Sequence, residues 1–197
     1  KKKKKKKMRT ILITGASSGI GRATAILLAN NGFKVYALAR RLELLNELKE
    51  FDITPLYLDI TDKVSIKNVV DTVIKEEGVI DVLFNNAGFG LYGPVEDINL
   101  NDAKNQFEVN LFGLDEMTKE VLPYMREKLN GLIINTSSIG GKIASPLGAW
   151  YHASKFALEG FSDCLRMELR PFNIKVVVLE PGLIQTQFMD RTYNKAQ

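Results

Sequence analysis

Two tyrosine–lysine pairs in this chain have a spacing at which chemistry is possible: Tyr151 with Lys155, and Tyr124 with Lys128. Four residues apart on a helix, the side chains of a pair share one face and lie one turn apart. A phenol with a pKa of ~10 is a poor acid or base at neutral pH. A lysine ammonium beside it favours the phenolate and lowers that value. A phenol poised in this way suits a reaction in which a carbonyl oxygen gains or loses a proton. Spacing alone does not choose between the pairs, so the choice falls to the elements that carry them.

Thr10-Ile11-Leu12-Ile13-Thr14 is a short apolar, β-branched run and reads as a buried strand. It enters Gly15-Ala16-Ser17-Ser18-Gly19-Ile20-Gly21, and an apolar-periodic helix follows to about Ala29. Strand, glycine-rich turn and helix start in that order make an anion site. Glycines let the backbone approach a pyrophosphate, and the unpaired N–H groups of the helix start face it. The spacing is G-x-x-x-G-x-G rather than G-x-G-x-x-G. A glycine-rich turn without a ligand is the plain alternative, against which the flanking strand and helix weigh. A second strand, Lys34 to Ala39, ends at Arg40-Arg41. That is roughly 20 residues past the loop, where an acidic residue would bind a ribose 2′-hydroxyl. Guanidinium pairs with a 2′-phosphate that a carboxylate would repel, so NADP is expected over NAD. A solvated basic turn is the competing reading.

The alternation continues. Strands are expected at Thr54 to Leu58, ending at Asp59, and at Val79 to Phe84, ending in Asn85-Asn86-Ala87-Gly88. Two more follow: Gly131 to Asn135, leading into Thr136-Ser137-Ser138, and Ile174 to Leu179, leading into Glu180-Pro181-Gly182. Helices are expected from Leu42 to about Glu50, from Val64 to Lys75, and from Trp150 to about Arg170. Asn101 to Lys128 reads as one long helical stretch, bent or restarted near Pro123. At least six apolar strands alternating with helices predict an α/β fold: a doubly wound, Rossmann-type parallel sheet with helices on both faces. The 197 residues fit one such domain. Ligands of these sheets bind beyond the carboxyl ends of the strands, where the polar and glycine clusters gather. Tyr151 lies 13 residues after Ser138 and opens its helix after a loop leaving that edge. Tyr124 stands behind Pro123 near the far end of its helix, with no hydroxyl-bearing strand end before it. Tyr151 is therefore the candidate.

With these motifs in this order, the chain resembles the classical short-chain dehydrogenase/reductase family. The residues that carry the resemblance are Thr14 to Gly21, Asp59, Asn85 to Gly88, Asn110, Ser138, Tyr151 with Lys155, and Pro181-Gly182 with Thr186. It spans Met8 to about Phe188. The resemblance implies a catalytic tetrad of Asn110, Ser138, Tyr151 and Lys155. Ser138 would position the substrate oxygen, Tyr151 would give or take its proton, and Lys155 would lower the Tyr151 pKa and bind the nicotinamide ribose. Asn110 would hold a water linking Lys155 to solvent. The implied cofactor contacts are Gly15, Ser17, Ser18 and Gly19-Ile20-Gly21 (the last three at the pyrophosphate), Arg40, Arg41, Asp59 and Ile60 beside the adenine. Asn86, Ala87, Gly88 and Val109 continue the set, and Pro181, Gly182, Ile184 and Thr186 complete it around the nicotinamide. Asn86 to Pro94 is similar to the branch acting on steroids, retinoids and other hydrophobic carbonyls. Members of the family continue further, with lid helices and one more strand, so residues past Gln197 are expected to be missing from this sequence rather than dispensable. Their common dimer packs the long helix from Asn101 and the Tyr151 helix against their copies, so a homodimer is expected.

The expected activity is thus hydride transfer between NADP and a hydrophobic ketone or aldehyde. The competing function, from another class, is a nucleotide-binding redox sensor or regulatory protein without turnover. His152, the sole histidine, points about 100° from Tyr151 on a helix and is expected at the surface. Cys164, the sole cysteine, is expected to be packed rather than reactive and cannot form an internal disulfide, which suits a cytoplasmic protein. No cluster with metal-ligand spacing exists in the sequence. The Lys1 to Lys7 run is expected to be an added tag. Setting it aside leaves 20 basic residues against 23 acidic ones, and nothing else suggests a nucleic-acid partner. No apolar run approaches the ~20 residues that span a bilayer.

Overall fold

The computed structural model describes residues 9–184. Every residue of Thr10–Thr14 (β1) is buried, as a strand covered on both faces must be. Lys34–Ala39 (β2), Thr54–Tyr57 (β3), Val82–Asn85 (β4), Gly131–Thr136 (β5) and Ile174–Leu179 (β6) join it in one sheet. The order is β3-β2-β1-β4-β5-β6, and every pairing is parallel. The order reverses between β1 and β4, so the connections leaving their carboxyl ends run to opposite faces of the sheet and leave the crevice in which such sheets bind ligands.

Helices close both faces. Gly19–Asn30 (α1) and Leu42–Asn46 (α2) cover one, against Ile11, Ile13, Val35, Ala37 and Phe84. Lys63–Glu77 (α3), Gly113–Glu127 (α5) and Ala149–Leu169 (α6) cover the other, where Leu12, Leu38, Val73, Met117, Val121 and Leu165 make the larger core. Side chains alternate between the two clusters along β1, as the period of a strand requires. Leu100–Phe107 (α4) precedes α5.

Three of the differences from the expected boundaries have a local reason. The stretch from Asn101 does not break at Pro123. Pro123 sits inside the continuous α5, on its exposed side, where water can satisfy the carbonyl a proline leaves unpaired. The interruption comes instead at Glu108–Phe112, a five-residue π turn. Next to it, Gly113 runs so close to the end of β3 that a Cβ would lie 2.4 Å from the Ile60 carbonyl oxygen. At β4, pairing begins at Val82 rather than Val79, because Asp81 turns its carboxylate to the Thr10 N–H, 2.8 Å away. The helix expected to about Glu50 is α-helical only to Asn46 and continues as a 3-10 turn to Phe51.

Candidate active site

A cavity of about 880 Å³ runs along the carboxyl ends of the strands. Its first wall is the turn after β1. Gly15 adopts φ +66°, and a Cβ there would come within 2.8 Å of the Ala87 Cα. Only glycine combines that backbone with that approach. Thr14 Oγ1 accepts both the Asn86 and Ala87 N–H groups at 3.0 Å, while Asn86 Nδ2 donates to the Thr14 and Gly15 carbonyls. The ends of β1 and β4 are thereby stitched together at the point where the strand order reverses. Ser17, Ser18, Gly19 and Ile20 line the cavity as the start of α1. Ser18 makes no side-chain cap on that helix, so its first-turn N–H groups face the cavity open to an anion. Gly21, expected at the pyrophosphate, is not on the wall. It lies beneath the loop, where a Cβ would meet Asn86 Nδ2 at 2.5 Å and the Gly15 oxygen at 2.6 Å.

Beyond β2, Arg41 lays its guanidinium across the loop, donating to Ser17 Oγ at 2.8 Å and Ser18 Oγ at 3.1 Å. Arg40 is exposed at the mouth. Asp59 and Ile60 form the far end of the cavity. The Thr61 backbone N–H holds the Asp59 carboxyl below its usual range, with the Thr61 hydroxyl and the Arg40 charge assisting. Ala87, Gly88, Val109, Pro181, Gly182 and Ile184 are also on the wall. Thr186 lies outside the described residues.

Ser138, Tyr151 and Lys155 meet at the middle of this cavity. Ser138 follows β5 and caps the short turn Ile139–Gly141, its Oγ accepting the Gly140 N–H at 3.0 Å. Tyr151 and Lys155 project from the first turns of α6, 6% and 5% exposed. Lys155 Nζ donates to the Thr136 carbonyl at 2.8 Å. Burial pushes its pKa down to about 8, and the Glu159 carboxylate one turn further along α6 opposes the fall. Tyr151 departs from the sequence expectation. Burial pushes its phenol up, and what works against that is a hydrogen bond with Ser138 rather than the lysine. The ammonium lies over the ring, 5.9 Å from its centroid, rather than on the oxygen. Spacing sets how near two groups are along a helix; desolvation of both sets the sign of the result. At neutral pH the phenol keeps its proton and can give it.

Asn110 is brought in by the π turn, 1% exposed. Its Oδ1 accepts the Phe89 N–H at 3.1 Å, and its Nδ2 donates to the Phe89 carbonyl at 3.0 Å and to Ser154 Oγ at 3.1 Å. Both ends of the side-chain amide are engaged, two of the three bonds fixing the loop after β4. The rival pair is remote: Tyr124 packs on the larger core, and Lys128 Nζ donates to the Gly78 carbonyl at the opposite edge.

Two side chains were misread from sequence. His152 is not at the surface; it is 7% exposed and lines the cavity. The 139–148 segment folds back over the first turn of α6 and covers it, and the His152 ring meets the Tyr151 ring edge-on, centroids 5.8 Å apart, rather than facing away. Cys164 is exposed rather than packed. Tyr92 was missed: its ring stacks at 34° on Tyr151, centroids 5.5 Å apart. Its only sequence signal was its place in the glycine-rich loop after β4. Among the described residues there is no group of side chains that could hold a metal ion, and no helix long and apolar enough to cross a membrane.

The geometry has counterparts. The family described as short chain dehydrogenase matches residues 9–197. The 3-ketodihydrosphingosine reductase of Bacteroides thetaiotaomicron is 44% identical over 181 residues, which are 91% of this chain and 65% of that protein. The NADP-dependent 3-hydroxy acid dehydrogenase of Schizosaccharomyces pombe is 39% identical over 189 residues, 91% of this chain and 73% of its own length. A solved serine dehydrogenase in its closed form, complexed with NADP+, superposes with a TM-score of 0.90 at 33% identity, over 94% of this chain and 77% of that one.

Proposed function

The chain belongs to the short chain dehydrogenase family, and from that premise we propose that it is an NADP-dependent oxidoreductase acting on a carbonyl/alcohol pair. Its direction is reduction, and its substrate a hydrophobic ketone or aldehyde. The observation that carries this reading is the meeting of Ser138, Tyr151 and Lys155 in the cavity at the carboxyl edge of the sheet. The residues present fit a dinucleotide. The open N–H groups of α1 and the close backbone at Gly15 suit a pyrophosphate, and Arg40 and Arg41 suit a 2′-phosphate. The preference for NADP also draws on the relative named for it and on the serine dehydrogenase complex. When bound, the cofactor supplies the hydride.

The protein's own groups handle the oxygen. The Ser138 hydroxyl orients the carbonyl for attack and hydrogen-bonds the charge that grows on its oxygen. Tyr151 delivers its proton to that oxygen. A phenol held above its ordinary pKa is fully protonated at pH 7, which is the state reduction needs. The Lys155 ammonium, held over the Tyr151 ring at 5.9 Å from its centroid, stabilises the phenolate left behind. Ile143 and Leu183, which the cofactor reading does not use, also line the cavity, and on them rests the apolar substrate class. Leu100, Phe107, Phe112 and Trp150 make an apolar groove between α4 and α6, on which we place the contact of a homodimer.

NADPH oxidation against a panel of aliphatic and aromatic aldehydes and ketones tests the reading. Turnover by the full-length protein is expected, and its loss by roughly a thousandfold in Tyr151→Phe with NADPH binding retained. Equal activity in Tyr151→Phe would refute the assignment.

A further inference from the structure

His152 is the only histidine in the chain, and nothing in the proposed reaction uses it. Its two ring nitrogens face partners of fixed polarity. Nδ1 lies 2.9 Å from the Gly140 carbonyl oxygen, which can only accept, so Nδ1 must carry a hydrogen. Nε2 receives the Ser145 backbone N–H at 3.1 Å, so it must present a lone pair, with the Ser145 hydroxyl beside it at 2.9 Å. One species meets both demands: the neutral imidazole with its hydrogen on Nδ1.

The contact with Gly140 reaches the catalytic serine. Gly140 gives its N–H to Ser138 Oγ at 3.0 Å and its carbonyl to His152. One peptide unit on either side of Gly140 therefore ties the serine hydroxyl to the imidazole. The segment is closed round the ring. A Cβ at Gly140 would lie 3.1 Å from Nδ1, and one at Gly148 2.6 Å from Cδ2. Between them Leu147 is held at φ +67°, a left-handed conformation that a non-glycine residue keeps only where its surroundings enforce it. Two contacts enforce it: the Gly93 N–H donates to the Leu147 carbonyl at 2.8 Å, and His152 pins Ser145 two residues earlier.

We propose that His152 is a positioning residue: as a neutral Nδ1–H imidazole it clamps Gly140 and Ser145, and through Gly140 it fixes the Ser138 hydroxyl against Tyr151. The clamp is a property of the fold; its effect on rate rests on the reductase reading above.

Being the sole histidine, His152 can be observed without assignment. With ¹⁵N-labelled histidine and a purification tag free of histidine, long-range ¹H–¹⁵N spectra at pH 7.5 should show a protonated Nδ1 and a bare Nε2. The opposite tautomer, or an imidazolium, would overturn the proposal. Hydrogen exchange read by mass spectrometry should show faster exchange in His152→Phe confined to peptides within 138–148; unchanged exchange there contradicts the clamp. In turnover, His152→Phe should lose kcat by about 10–100-fold while NADPH binding stays within about twofold, as expected of a misplaced serine. His152→Asn keeps a donor for the Gly140 carbonyl and should recover most of that loss. A loss equal in both variants would sink the link through Gly140. If the wild-type protein reduces no carbonyl, the reductase reading fails, whereas the spectra and exchange still decide the clamp.

Discussion

Lys155 fixes how the stability of the unliganded protein must change with pH. Its ammonium is 5% exposed, and burial takes its pKa from the ordinary 10.5 to about 8. At about 1.4 kcal/mol per pH unit, that gap costs the folded state about 3 kcal/mol at pH 7, where the lysine is charged both folded and unfolded. Between pH 8 and 10.5 the folded chain has released a proton that the unfolded chain still binds. Stability therefore rises with pH across that window. Below pH 8 the penalty is fully present; above 10.5 it is gone. Lys155→Met keeps the unbranched stem and removes the titration. The difference in unfolding free energy, wild type minus Lys155→Met, should grow by about 2.5 kcal/mol between pH 7 and pH 10, most of it above pH 8. Urea unfolding at pH 7, 8, 9 and 10 measures it, as a relative midpoint shift of about 1 M. The lost bond to the Thr136 carbonyl offsets every point equally and leaves the slope untouched. Tyr151 titrates nearby, so the same pair of curves on a Tyr151→Phe background isolates the lysine. A difference that stays flat, or falls as pH rises, refutes the account of Lys155 as a desolvated ammonium.

Two further outcomes test the cofactor end of the cavity. Arg40→Asp should weaken NADPH binding roughly tenfold or more, the scale of a charge-assisted contact, and leave NADH binding nearly unchanged; fluorescence titration with both nucleotides measures it, and an unaltered preference would return the assignment to NAD. Gly21→Ala should destabilise the fold by about 1–3 kcal/mol through overpacking, because its new methyl group meets the Gly15 oxygen at 2.6 Å; a urea midpoint equal to the wild type's would mean that the loop gives way.

What was legible in the sequence was whatever a single run of residues decides by itself. β1, β2 and β6 have the bounds expected of them, because apolar runs that stop at Gly15, Arg40 and Glu180-Pro181 leave little choice. Ser138, Tyr151 and Lys155 could be placed together because the fold gathers all strand ends on one edge. Properties that depend on a segment from elsewhere were not legible. The π turn at Glu108–Phe112 inserts one residue into a helical repeat too short to register the change. The burial of His152 depends on the 139–148 segment folding back. The rise rather than fall of the Tyr151 pKa depends on how deeply two side chains are desolvated, which spacing does not encode.

The polar face of α6 shows how such a site can be rigid before anything binds. Tyr151, His152, Ser154, Lys155, Glu159 and Ser162 are all buried on one helix, an arrangement that costs stability unless every group finds a partner. Most of the partners come from three other elements, while Glu159 Oε1 has no hydrogen-bond partner. Asn110 in the π turn holds Ser154, Asn135 on β5 holds Ser162, and the Thr136 carbonyl holds Lys155. The turn after β5 supplies the Gly140 carbonyl to His152 and the Lys142 ammonium to Glu159 at 2.9 Å. An α-helix without the extra residue of the π turn would rotate Asn110 away from Ser154, so the irregularity and the polar face require each other. Several of these partners lend only main-chain atoms. Thr136 offers Lys155 a carbonyl, and Phe89 offers Asn110 both its N–H and its carbonyl. At such positions the chemistry constrains the path of the backbone rather than the side chain, so no residue type marks them in a sequence.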